Sequence, residues 1–409
     1  MSLTDQTVKP TGVSSLTEIR PSAVKHVSSE RFHYLDNLRA IAMLLGVFLH
    51  AALAYAEPAR SIWIATDRSG SVAIDAAIWF IHLFRMSLFF FLSGYFGKLL
   101  WSRRGGWAYL KGRLLRIALP FVLFYPFLWG ASMVVIVFAL SYLKEPLGII
   151  GLIAESIKKG QTESEQETFT LMHLWFLYYL MMFVLLSIPL AKMKLEWPRR
   201  IIESPLGLSL LPFVLACAVL GTEVPLPAPE SFLPAVWPFL FYGTFYWVGW
   251  QMFGQEALLA SWERKAALIF VGCVTLYVPY YWLLPRLEIE LLLQQGVVPQ
   301  PPWQKVCLAL LTGYLSLGLT ISSLGLGRRF LNSNRAALRF LADASYWIYL
   351  VHLPLVLALQ TFLIPFSVSI WLKLSTVVVA TLFFSMLSYV VLVRYTPLGW
   401  MLHGKRGFP

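Results

Sequence analysis

Asn37-Leu38-Arg39-Ala40-Ile41-Ala42-Met43-Leu44-Leu45-Gly46-Val47-Phe48-Leu49-His50-Ala51-Ala52-Leu53-Ala54-Tyr55-Ala56 is the stretch that decides the fold. Wound as a helix at 1.5 Å per residue, it matches the roughly 30 Å hydrocarbon thickness of a bilayer. It lacks the continuous polar stripe that a helix on the surface of a soluble domain needs. Runs of this kind recur outward along the chain, at 73–97, 114–143, 171–191, 205–221, 236–254, 266–284, 305–326, 343–364 and 367–393. With 37–56 they predict a bundle of about ten transmembrane helices, an all-α polytopic membrane protein. The composition agrees. Of 409 residues, 58% are hydrophobic and 13% charged, against roughly 45–50% and ~25% in soluble domains. Pro58, Pro198, Pro225 and Pro285 fall just past expected span ends, and Asp343 is expected to cap the ninth.

The 33 Lys and Arg against 21 Asp and Glu give a net charge of +12. That balance would suit a nucleic-acid partner if the cations formed a patch, but they sit in short loops between spans. With the N-terminus cytoplasmic, 24 of the 33 fall in the inside loops 98–113, 192–204, 255–265 and 327–342, at their edges, or in the two tails. The outer loop 144–170 is acidic, with Glu145, Glu155, Glu163, Glu165 and Glu167. The positive-inside rule therefore places both termini in the cytoplasm. Residues 1–34 read as a flexible polar tail without the apolar core of a signal peptide, 35–395 as the transmembrane domain and 396–409 as a basic tail. Cys217, Cys273 and Cys307 are scattered in apolar stretches and suggest neither a disulfide framework nor a metal site. Oligomeric state is not legible.

An ionised side chain near the bilayer centre costs at least about 2.5–3.5 kcal/mol, so intramembrane ionisable groups mark function. His50 lies fourteen residues beyond Asp36, about 21 Å along the helix. His82 and Arg85, on the antiparallel second span, share one face and reach a similar depth. Two imidazoles and a guanidinium at one level predict a polar site inside the membrane. Neither span offers Arg85 a carboxylate there, which leaves room for a ligand. Neutral imidazole is the usual general base near neutral pH. No GxSxG, HExxH, Walker A or CxxC pattern competes. His173, followed by Trp175, opens the fourth span as either an interfacial aromatic-belt group or part of an outer substrate mouth. His352 lies mid-span ahead of Pro354 and either lines the same cavity or is structural. Lys373 is expected to snorkel to the outer interface. Arg113 and Arg116 start the third span, while Asp36 and Arg39 open the first. As a cluster, these cations could hold phosphates.

These residues resemble a known family. Arg39 and His50, within Tyr34-Leu35-Asp36-Asn37-Leu38-Arg39, look like the first-helix signature of the acyltransferase-3 family of integral-membrane O-acyltransferases. The stretch Arg85 to Phe96 is similar to that family's second helix, and Arg113-Leu114-Leu115-Arg116 followed by Pro120 to its RxxR motif. His82-x-x-Arg85, His173-Leu174-Trp175-Phe176-Leu177 and Tyr349-Leu350-Val351-His352 look most like the branch of the glucan succinyltransferases, with Leu353 where that branch can carry a second His. The resemblance runs from Tyr34 to the tail. It implies a multi-pass protein of the bacterial inner membrane that takes an acyl group from cytosolic acyl-CoA, succinyl-CoA or acetyl-CoA. The group would pass to a hydroxyl of a periplasmic carbohydrate such as a glucan, without a metal. On this reading His50, with Arg85 and His82, is catalytic; Asp36, Arg39, Arg113 and Arg116 hold the CoA end; His173, Trp175 and His352 line the acceptor site. A transporter or channel for an acyl donor or small anion is the competing class. The absence of an internal repeat and of paired intramembrane carboxylates speaks against it.

Overall fold

A computed structural model describes residues 33–160, 170–193, 197–285 and 300–403. Most of the expected N-terminal tail, the end of the basic tail and the middle of loop 144–170 lie outside them. The described chain is helical and contains no β-strand. In order come α1 (His33–Leu53), α2 (Val72–Arg113), a π-turn (Leu114–Ala118), α3 (Leu119–Tyr142), α4 (Gly148–Lys158), α5 (Trp175–Lys192) and α6 (Trp197–Glu203). Then follow α7 (Pro205–Val219), α8 (Val236–Met252), α9 (Glu256–Leu283), α10 (Pro302–Phe330), α11 (Ala336–Leu363), α12 (Ile370–Ser388) and α13 (Pro397–His403).

Among the described residues, 7 helical segments are long and apolar enough to cross a membrane. One of them, Val72–Tyr142, is 71 residues long and contains two expected spans. The polar stretch 98–113, expected as a loop, continues as helix on both sides of Gly105. That glycine takes a left-handed φ of 74° and breaks the helix direction. Two further expected spans, at 205–221 and 236–254, correspond to the shorter helices α7 and α8, of 15 and 17 residues.

Two local expectations are corrected. Asp343 does not cap its helix, because α11 begins two turns earlier at Ala336, after Arg335. Ala336-Ala337-Leu338-Arg339 are strong helix formers, so the helix runs past the apolar window that marked the span. Lys373 does not snorkel. Its ammonium is buried and lies 2.5 Å from Asp67, with the two side chains 4% and 5% exposed. Lys373 also donates to the Ile364 carbonyl, while the Ser69 N–H donates to the other Asp67 oxygen. A partner on a distant loop outweighs the pull of the interface. Removing one member strands a buried charge, so Lys373→Met is expected to destabilise the protein by about 3–5 kcal/mol. The double variant Asp67→Asn/Lys373→Met should recover much of that loss. Thermal melting of the purified protein in detergent measures both.

The bundle closes through small residues. Where α2 crosses α8, a methyl added at Gly94 would meet the Tyr246 carbonyl, and one at Gly249 the Phe91 carbonyl. Without Cβ atoms the two backbones approach closely, as membrane helices do at small-residue contacts. α1 packs against α2, α10, α11 and α12, so its whole length is wrapped by other helices. The outward faces are apolar, with Phe127 and Val134 on α3, Leu268 and Trp282 on α9, and Val379 on α12 exposed. In water that surface would be untenable, and against acyl chains it is matched. Burying α1 carries His50 to the interior.

Candidate active site

α11 meets α1 along its length and brings His352 to His50. The two imidazoles are parallel within 2°, their centroids 5.1 Å apart, with His50 Nδ1 2.9 Å from His352 Nε2. Those values describe rings bonded edge to edge in one plane. His352 Nδ1 lies 2.6 Å from the Tyr349 carbonyl oxygen. A carbonyl only accepts, so Nδ1 of His352 carries a proton and its Nε2, in the neutral ring, is the acceptor. His50 therefore donates from Nδ1, which leaves its Nε2 as an unprotonated nitrogen. That atom has no hydrogen-bond partner among the described residues. Gln360, two turns further along α11, donates to the carbonyls of His50 and Ala51 at 3.0 Å each and accepts from the Trp63 indole at 2.9 Å. Trp63 lies over the His50 ring, 5.7 Å between centroids. The catalytic candidate is thus held by its ring, its backbone and one face.

Pro354 explains the third imidazole. Having no N–H, it cannot pair with the Leu350 carbonyl one turn earlier. His173 Nε2 donates to that carbonyl at 3.0 Å. Tyr349 returns a bond from its hydroxyl to the His173 carbonyl at 2.7 Å. Met172, just ahead, has φ 46°, a left-handed conformation that costs an L-residue about 1–2 kcal/mol. That turn aims His173 inward, with its centroid 5.0 Å from His352 and its ring edge-on. His173 Nδ1 is buried and has no partner among the described residues.

Arg85 on α2 rests against Gly46 of α1, where a methyl group would overlap its guanidinium. Its Nε is buried without a partner, and no carboxylate forms an ion pair with it among the described residues. His82, one turn along, is tied to the loop between α7 and α8: its Nε2 donates at 2.8 Å to the Leu226 carbonyl.

Two cavities meet at this cluster. The larger, about 440 Å³, is lined by His50, His82, Arg85, His173 and Trp175, by Leu53, Trp63 and Trp79, and by Glu223 and Glu230 of the loop. The smaller, about 30 Å³, lies toward the Arg39 end of α1 between Ala42, Met43, Met86 and Phe89. His50, Arg85, His173 and Trp175 line both. Trp237 and Trp303, whose indoles could also stack on a sugar ring, line neither. Burial pushes the Glu230 carboxyl up to about 7, and that of Glu223 is raised for the same reason.

The family model for this acyltransferase domain matches residues 32–390. The chain belongs to the acyltransferase-3 family. It is also similar to the protein named glucans biosynthesis protein C in Salmonella paratyphi B and in Salmonella dublin. Each is 26% identical over 391 residues, covering 93% of this chain and 96% of the relative. No solved structure matches it.

At the other end of α1, about 16 Å from His50 along the helix axis, the acyltransferase carries its expected cations. Arg39 pairs with Asp36 at 3.5 Å and lies over the Phe96 ring. Arg113 donates to the Ser93 carbonyl at 3.4 Å and lies over Tyr109. Arg39 and Arg113 therefore rest on one turn of α2. Arg116 sits in the π-turn within electrostatic reach of Arg104 and Arg113. Its carbonyl, which Pro120 has no N–H to pair, accepts from the Tyr346 hydroxyl at 2.9 Å.

Sequence reasoning singled out every imidazole and guanidinium described above but missed Trp63, Trp79, Gln360 and Glu230. Gln360 was findable as an amide in an apolar run. Trp63 was not, because nothing in the loop after α1 says that it folds back over His50.

Proposed function

We propose that this membrane acyltransferase moves an acyl group, succinyl or acetyl, from cytosolic acyl-CoA to a hydroxyl of a periplasmic carbohydrate such as a glucan. The observation that carries the reading is the shared wall: His50 and Arg85 line both cavities. The donor thioester approaches along the Met43–Met86 side, and the acceptor hydroxyl through the larger cavity. The names of the Salmonella relatives support a glucan as acceptor. The cation-rich end of α1, with Asp36, Arg39, Arg113 and Arg116, suits the phosphates of CoA. This geometry fits ten spans with both termini cytoplasmic, residues 35–395 forming the catalytic bundle in the inner membrane.

The tautomer chain sets the chemistry. His50 Nε2 takes the proton of the acceptor hydroxyl as its oxygen attacks the thioester carbonyl. The carbon–oxygen bond forms, the tetrahedral intermediate collapses, the carbon–sulfur bond breaks and the imidazolium returns the proton to the CoA sulfur. His352 accepts from His50 Nδ1–H throughout, fixing the ring and stabilising its charge as it develops. Arg85 either stabilises the oxyanion or, with a succinyl donor, holds the distal carboxylate. His82, tied to Leu226, positions the roof of the acceptor cavity.

Purified protein in proteoliposomes, with labelled acyl-CoA on one side and a neutral glucan oligosaccharide on the other, tests the reading. One equivalent of free CoA should appear per ester formed. Passage of the labelled donor across the membrane without ester would overturn it in favour of transport.

A further inference from the structure

The loop between α7 and α8 is pinned to the site from several sides. His82 donates to the Leu226 carbonyl at 2.8 Å, and the Leu171 N–H to the Glu230 carbonyl at 2.6 Å. The Tyr178 hydroxyl donates to the Phe232 carbonyl at 2.8 Å, and the Ala235 N–H donates to the Tyr179 hydroxyl at 2.9 Å. The donors at Leu226 and Glu230 belong to the stretches that carry His82 and His173. This loop is therefore held in a fixed position relative to the imidazoles and carries Glu230 to the wall of the 440 Å³ cavity. That volume lies in the range of small-molecule sites. Its lining joins flat indoles, Trp63, Trp79 and Trp175, to two carboxyl groups, Glu223 and Glu230. The Glu230 carboxyl has no hydrogen-bond or ion-pair partner among the described residues; the residue is half-buried and its side chain lines the cavity. A carboxylate that gives up hydration without a partner is an acceptor awaiting donors. Indole faces beside it offer an apolar surface to the C–H face of a sugar ring.

We propose that Glu230 is the specificity-determining residue of the acceptor site: it accepts hydrogen bonds from adjacent hydroxyls of an uncharged sugar ring seated in the outer cavity, and with Glu223 turns away anionic glycans. Two neighbouring hydroxyls match the two oxygens of one carboxylate, which binds them without reading the chemistry at His50. Once these carboxyls are ionised, which for Glu230 requires a pH above about 7, a carboxylated or phosphorylated glycan would place like charge against Glu223 and Glu230 in a confined site, where repulsion is weakly screened. The residue acts on acceptor binding and not on the thioester. This inference rests on the acyl-transfer reading for its kinetic consequences, but its binding consequences stand alone.

The test uses full-length protein in nanodiscs with two probes, a neutral β-linked glucose oligosaccharide and the same oligosaccharide oxidised to carry one carboxylate. Without any acyl donor, quenching of tryptophan fluorescence measures binding. Glu230→Gln is expected to weaken binding of the neutral probe about tenfold, the loss of hydrogen bonds to a charged group. Glu230→Asp should keep part of the affinity. The double variant Glu223→Gln/Glu230→Gln should narrow the preference for the neutral over the acidic probe. In the transfer assay Glu230→Gln should raise acceptor KM by a similar factor, leaving kcat at saturating acceptor and the KM of acyl-CoA within about twofold. Unchanged neutral-probe affinity in Glu230→Gln, or wild-type protein that binds neither probe, overturns the assignment. Wild-type protein that binds the neutral probe through Glu230 but forms no ester overturns the acyl-transfer reading and leaves the sugar site standing. A variant that melts earlier than wild type is read through Glu230→Asp, whose acceptor affinity must then fall between the two.

Discussion

His50→Ala is expected to lower the rate of ester formation by about 10²–10⁴-fold, the range of a lost general base. On the proposed mechanism the loss should appear in kcat, because the CoA end of the donor would be held about 16 Å away along α1 and the acceptor by the outer cavity. Melting temperature should change little by comparison, since the ring borders two cavities and is not close-packed core. His352→Leu separates the base from its orientation. It removes the acceptor for His50 Nδ1–H, so the proton can sit on Nε2, the nitrogen that must be free. Activity should fall, less than in His50→Ala, with the KM of acyl-CoA unchanged. Steady-state kinetics with purified variants in proteoliposomes measures each. A wild-type rate in His50→Ala removes the imidazole from the mechanism.

Arg85→Leu is expected to reduce transfer from succinyl-CoA by about 10²–10³-fold, the range for losing a preorganised donor at a developing oxyanion. The physical argument is the partner that Arg85 lacks among the described residues. A buried guanidinium without a counter-ion is costly, and the cost is recovered when a negative charge arrives. Acetyl-CoA distinguishes the two roles. If Arg85 meets the oxyanion, both donors lose activity equally. If it holds the distal carboxylate, the loss is confined to succinyl-CoA and falls largely on its KM. Gly46→Ala should reproduce part of the effect, because the added methyl takes the space of the guanidinium. Equal activity of Arg85→Leu and wild type with both donors would show that the charge serves another purpose.

The site was unevenly legible before the structure. His50, His82 and Arg85 announced themselves because ionisable groups in apolar runs are costly, and that cost can be counted along a line of sequence. His352 and His173 were equally visible, yet the sequence left each divided between a structural and a lining role. The structure shows His352 bonded to His50, and His173 at the cavity wall bonded to the carbonyl that Pro354 leaves unpaired. Lys373 went the other way. Its place near a span end suggested an interfacial cation, and its buried partner Asp67 lies 306 positions away in a loop. Glu230 sat unremarked in a Pro-rich connection, because a carboxylate in a loop costs nothing until the loop is folded over a cavity.

Hydrophobic period, span length and the distribution of Lys and Arg are local quantities, and from them alone followed the helical membrane bundle and the expected depth of each intramembrane charge; the resemblance to the acyltransferase-3 family came from short motifs such as Arg39 with His50 and Arg113 with Arg116. Which nitrogen of His50 is free, which loop roofs the cavity and which cation finds a carboxylate depended on contacts between residues hundreds of positions apart. The transfer of a side chain into lipid is paid residue by residue and leaves its mark in composition. A hydrogen bond between His50 and His352 requires two helices to meet at one rotation and one depth, and only their packing decides that.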